Sequence, residues 1–273
     1  MSSEQQRQRQ RRAGWRVSGL VLAAVAVIAV AGVIAAHYVT TTAQPAHGTR
    51  PAPAGSPGPS PRERGGGAGA VERALVVRPM LRLPEAAALP HTLTTETAGP
   101  PLRLPRARAT AGRLVPGGFP ATAQGAVAQL VALSEAGLVG GDPDAYAHAY
   151  RAVSAPGAPP VEATGWMAAL RGFRAHAELP PTGATTGVSV TFTPTSGLIK
   201  GTAEGGRFAV VCVLGQFSVQ HQGQTLTAGI GDCQAMRWTR VGWRIAPGAL
   251  ASAAPCAWPG TAEAVHAGYR ELR

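Results

Sequence analysis

The chain has 273 residues and a formal net charge of +11, with Lys200 the only lysine among its 25 basic residues. That charge suggests nucleic-acid binding until it is located. Residues 1–116 hold fifteen arginines against five acids, whereas residues 117–273 hold nine arginines and Lys200 against nine acids. The C-terminal domain is therefore nearly neutral, and nucleic-acid binding by that domain is excluded as an expectation.

The first element in chain order is a stretch from Val17 to Tyr38 without a charged residue, directly behind Arg7, Arg9, Arg11, Arg12 and Arg16. About 20 apolar residues let a helix cross a bilayer, and such a helix satisfies its own backbone polar groups there. Arginines on one flank hold that flank in the cytoplasm. The expectation is a basic cytoplasmic tail (1–16), one transmembrane helix (17–38) and an exported remainder. A cleaved signal peptide is the rival, but its apolar core is shorter and ends at a small-residue step. None stands at His37-Tyr38-Val39, and the Arg11-Arg12 pair lacks the rest of a twin-arginine signal. Gly32 and Ala36 give one small-xxx-small step for helix packing within the membrane.

Residues 39–70 are rich in Pro, Ala, Gly, Thr and Ser and read as a disordered linker with polyproline character. Over 71–116 apolar residues return, among them Val76, Leu83, Leu102 and Leu104. Prolines 79, 84, 90, 100, 101 and 105 forbid long helices there. Two readings stand: an extended arm lying along the domain or a neighbouring subunit, or a second disordered linker.

The globular part is expected over 117–273. Thr122 can cap a helix running to about Gly137 that buries Val127, Leu130, Val131 and Leu133. Asp142-Pro143 reads as cap plus first helical position of a second helix. A third fits 161–178, where Trp166, Leu170 and Phe173 recur at helical spacing. The period then changes to two at Val188, Val190 and Phe192, and further strands fit 207–220, 224–238 and 241–246. About three helices followed by about four antiparallel strands predict an α+β domain.

If 207–220 and 224–238 form a hairpin tipped by Gln222-Gly223, Cys212 faces Cys233 at a non-hydrogen-bonded pair. A disulfide fits there in an oxidising compartment. Two buried thiols are the other reading, and a bulge in Gly229-Ile230-Gly231 would shift the register. Cys256 is then left over, either free or linking two chains.

Catalytic patterns are thin. The seven histidines show no metal-ligand spacing, and Asp142, Asp144 and His148 read as a cap, a first-turn acid and a bystander. Gly229-Ile230-Gly231 lacks the third glycine of a dinucleotide fingerprint and heads a strand. Trp166, Trp238, Trp243 and Trp258 read as core or rim packing. No catalytic, cofactor-binding or metal-binding residue is assigned.

Gly118-Phe119-Pro120, Gly197-Leu198-Ile199-Lys200-Gly201, Asp232-Cys233-Gln234, Trp258-Pro259-Gly260-Thr261 and Gly268-Tyr269-Arg270 complete the motifs. Over about residues 95–273 these resemble actinobacterial membrane-anchored proteins encoded with conjugative plasmid transfer functions. The resemblance implies an NTF2-like cone, a curved sheet wrapped by helices, as in bitopic scaffold subunits of type IV secretion machines. It implies assembly rather than catalysis, with the bilayer, proteins of a transfer or secretion complex and further copies of the chain as partners. An exported ligand-binding or wall-contacting domain is the alternative. A cone enzyme of the ketosteroid-isomerase type is another, and it would draw on Tyr146, His148 or Asp232.

Overall fold

The computed structural model describes residues 63–273. The expected transmembrane helix (17–38), the basic tail and most of the linker lie outside the described residues. No described helix is long and apolar enough to cross a membrane.

The first described element corrects the expected linker and arm. Helix α1 spans Glu63–Val77, across the boundary expected at residue 70. It occupies the proline-free gap between Pro61 and Pro79, which the glycine-rich composition had disguised as linker. Tertiary contacts hold it where local propensity is poor. Val76 is buried, and the Leu75 side chain lies over Gly201. Lys200 Nζ donates to the Val76 carbonyl at 3.0 Å, placing a cation at the negative end of the helix.

Beyond α1 the prolines act as expected, and only a single 3-10 turn, Glu85–Ala88, interrupts the extended arm. The arm lies along its own domain. Leu102 N–H donates to the Glu271 carbonyl (2.8 Å), Arg273 N–H to that of Leu102 (3.0 Å) and Leu104 N–H to that of Arg273 (2.7 Å). Ala87, Ala88, Leu102 and Val115 are buried against the core.

The three expected helices follow. Helix α2 spans Ala123–Gly137, with the Thr122 hydroxyl accepting the Gly125 amide at 3.1 Å. Gly140 and Gly141 turn the chain at φ of 72° and 58°, values that favour glycine. Helix α3, Pro143–Ala152, is capped by Asp142, whose carboxylate accepts the Asp144 amide at 3.1 Å. Helix α4 is Gly165–His176, capped by Thr164. It starts later than expected because Val161–Ala163 forms a 3-10 turn behind Pro160. A short α5, Ala262–His266, is capped by Thr261.

The sheet is antiparallel, in the order β4-β3-β2-β1-β5. Strands β1 (Val188–Ala203), β2 (Phe208–His221), β3 (Gln224–Thr239) and β4 (Gly242–Ile245) run in sequence. Strand β5, Arg270–Glu271, pairs with Ser196 and Gly197 of β1 and is too short to show a period in sequence. The β2–β3 hairpin keeps one register from Phe208–Arg237 to His221–Gln224, so the suspected bulge at 229–231 is absent. Gln222 and Gly223 both take positive φ, as a type I′ turn requires. The register shifts fall in β1 instead, at Pro194/Ser196 and Ile199/Gly201. Such bulges bend a strand, and the second turns Gly201 toward α1.

Both faces of the sheet are covered. Val190, Phe192, Val211, Val213, Phe217 and Ile230 pack with α2, α3 and α4. Phe208, Val210, Cys212, Leu214 and Cys233 pack on the other face with Val76, Tyr269 and alanines of the C-terminal segment. Burial on both sides explains why Phe208–Leu214 is apolar without alternation. Cys212 and Cys233 form a disulfide in this second core, their Cα atoms 4.0 Å apart.

Candidate functional site

The space between helices and sheet is where a cone enzyme would hold its substrate. Aromatic side chains fill it. Trp166 meets Phe192 edge-on at 5.4 Å and Phe217 at 5.8 Å, and Phe173 meets Phe217 edge-on at 6.0 Å. All four rings are buried, and such pairs stabilise beyond their buried area. Trp243 is also buried and donates its indole N–H to the Pro120 carbonyl at 2.7 Å. Trp238 packs edge-on against it at 5.6 Å. These tryptophans and Trp258, half-buried at the rim, match the packing role read from sequence.

The nominated acid/base residues are not brought together. Tyr146 is buried beside Tyr150, with ring centroids 5.9 Å apart. His148 and Asp144 are exposed, and Asp142 serves as the α3 cap. No group of three or more His, Cys, Asp or Glu residues among the described ones can hold a metal.

Asp232 has the most unusual surroundings. It pairs with Val213 on the helix-facing side of β3 and is only 6% exposed. Gln234 Nε2 donates to its two carboxylate oxygens at 3.2 and 3.1 Å. Burial pushes the carboxyl up to about 6, against the opposing pull of Gln234 and the Cys233 amide. Burial likewise raises Tyr150 and Tyr269, with the Asp232 charge adding to both. Each hydroxyl donates to a carbonyl, Tyr150 to Pro159 (3.1 Å) and Tyr269 to Pro255 (3.0 Å). The Cys256 thiol is free, accepts the Gly231 N–H at 3.4 Å and is pushed by burial up to about 11. A neutral thiol facing a strand amide is a poor nucleophile.

A pH dependence follows. Between about pH 4 and 6 the unfolded chain releases the Asp232 proton while the folded chain keeps it. Stability from this group therefore falls as pH rises through that window and stays lower above it. Asp232→Asn is expected to remove the slope and to raise stability at pH 7.5 by about 3 kcal/mol. Urea unfolding of wild type and variant across that range checks it; equal slopes would show that the carboxyl ionises normally.

Surface cavities among the described residues include one at the β2–β3 turn, beside Gly187 and His221, and two nearer the arm. One of these two, of about 520 Å³, lies between the arm at Leu102–Pro105 and Thr122 at the start of α2. The other, of about 180 Å³, is lined by Arg113, Gln129 and Arg244. Nothing in the sequence marks this second convergence, since its residues come from the arm and the loop after it, α2, the end of α3 and the β3–β4 hairpin.

Compared with known proteins, the chain matches no family model, no curated protein and no solved structure. The family resemblance therefore rests on its short motifs alone, and several of their residues have local packing tasks. Thr261 caps α5, Tyr269 anchors the C-terminal segment, and Pro120 accepts the Trp243 indole. Sequence reading missed the role of Gly229 and Gly231, against which the C-terminal segment lies. Two glycines alternating along a strand were the available signal.

Proposed function

We propose that this chain is a membrane-anchored, non-catalytic scaffold or accessory component of a conjugative transfer or secretion assembly. It acts through an exported domain whose helices-then-sheet arrangement suits an NTF2-like cone. One observation carries the reading: the space enclosed by helices and sheet is packed with Trp166, Phe173, Phe192 and Phe217, which leaves the surface to meet partners. The uncharged run behind five arginines supplies the anchor and the export, and export supplies the oxidising compartment that the Cys212–Cys233 bridge suits. The partners in this reading are the bilayer, proteins of the assembly and further copies of the chain.

Two measurements test it. Alkaline phosphatase fused after Arg273 is expected to be active in cells, because the enzyme folds only after export; an inactive fusion would overturn the topology. The full-length chain in detergent is expected to scatter light as an oligomer. A strict monomer would sink self-assembly and favour an exported ligand-binding or wall-contacting domain.

A further inference from the structure

We propose that the cavity between Arg113 and Arg244 receives the carboxylate of an acidic side chain, presented beside an apolar residue by a protein partner. The proposal rests on the reading of this domain as a contact module and names the chemistry of its partner. The cavity's volume of about 180 Å³ equals roughly six waters' share of liquid, enough for a carboxyl group and its stem. Gly117 lines it without a side chain, between Gln129 and Arg113. Gln129, only 2% exposed, donates to the Pro116 carbonyl at 2.9 Å and so holds the arm over α2.

Charge decides the ligand. No residue lining the cavity is acidic. Neither guanidinium forms an ion pair among the described residues. Arg244 is held below its ordinary range first by burial and then by the charge of Arg113. Two converging cations repel unless an anion lies between them, and planar guanidinium forks match the two oxygens of a carboxylate.

The rim argues for a protein source. Leu114 and Val241 line the same cavity and are 57% and 65% exposed. Large apolar side chains beside paired arginines suit a segment that supplies both an acid and an apolar contact.

The test uses the full-length chain in nanodiscs and the peptide acetyl-Leu-Glu-Leu-amide, read by saturation-transfer NMR on the peptide's leucine methyls. Saturation is expected for this peptide and is expected to be weaker by roughly fivefold or more for its glutamine counterpart. Arg113→Ala is expected to produce the same loss, and Arg106→Ala, on the exposed arm outside the cavity, none. Arg113 is exposed, so its variant is expected to unfold at the wild-type temperature. Equal transfer to the two peptides, or full binding by Arg113→Ala, would overturn the proposal. So would displacement of the peptide by inorganic phosphate at lower concentration than the peptide itself, which would reassign the cavity to a free oxyanion. The two readings fail separately: a monomer that binds the peptide removes self-assembly alone, and an oligomer that ignores it removes the pocket alone.

Discussion

Gly229→Ala is expected to destabilise the folded chain by about 3 kcal/mol or more, although it adds a single methyl group. Gly229 lies on the sheet face away from α2, α3 and α4, where the C-terminal segment crosses β3. A Cβ at this position falls onto the Ala257 carbonyl and within 2.9 Å of the Trp258 Cα. The colliding atoms are backbone, so no side chain can swing aside. Nor can the segment retreat freely. Trp258 N–H donates to the Ala87 carbonyl at 2.6 Å, and the Tyr269 hydroxyl holds Pro255 beside Gly231. Lifting the segment therefore loosens the arm and Tyr269 together. Gly69→Ala in α1 is the contrast, because nothing lies within 4 Å of a Cβ built there. That change is expected to stabilise by about 0.5–1 kcal/mol through helix propensity. Urea unfolding of both variants measures the opposite signs. A Gly229→Ala chain as stable as wild type would mean that the C-terminal segment does not lie on β3.

Loss of the Cys212–Cys233 bridge is expected to have the other large effect. The bond closes a loop of 21 residues' separation, for which the chain-entropy account gives about 3 kcal/mol. The two cysteines sit directly opposite in an unbroken register and are buried among Leu198, Val210, Leu214 and Tyr269. The folded hairpin thus brings them together unaided, and the bridge acts mainly on the unfolded chain. Cys212→Ala with Cys233→Ala is expected to lower stability by that amount and to make it insensitive to reductant. Cys256→Ala is expected to remain sensitive, since its thiol bonds to no other cysteine in the chain. If Cys256→Ala instead became insensitive to reductant, Cys256 would be a partner in the bridge and the pairing would be misassigned.

Elements whose signal is local were legible. Thr122 and Asp142-Pro143 cap their helices because capping is decided within four residues. Gln222-Gly223 sets the hairpin register, and counting outward from it pairs Cys212 with Cys233. Helix α1 was not legible, because Lys200 and Gly201, more than 120 residues away, hold the end of a glycine-rich segment. Strand β5 was missed for the same kind of reason: two residues pair with β1 only because the arm and the C-terminus meet beside it.

The candidate sites divide in the same way. Tyr146, His148 and Asp232 could be nominated by residue type, but only the packing of α3 against the sheet decided which are buried and which face solvent. The Arg113–Arg244 cavity has no trace in sequence, since 130 residues separate its cations. By itself, the sequence determined what neighbours along the chain decide: the uncharged run and its basic flank, the α2 and α3 caps, the hairpin and the facing of Cys212 and Cys233. The tertiary structure alone decided the course of the arm, the burial of Asp232 and the convergence of two unpaired arginines. Those depend on long-range contacts and on desolvation, and neither leaves a periodic mark on the chain.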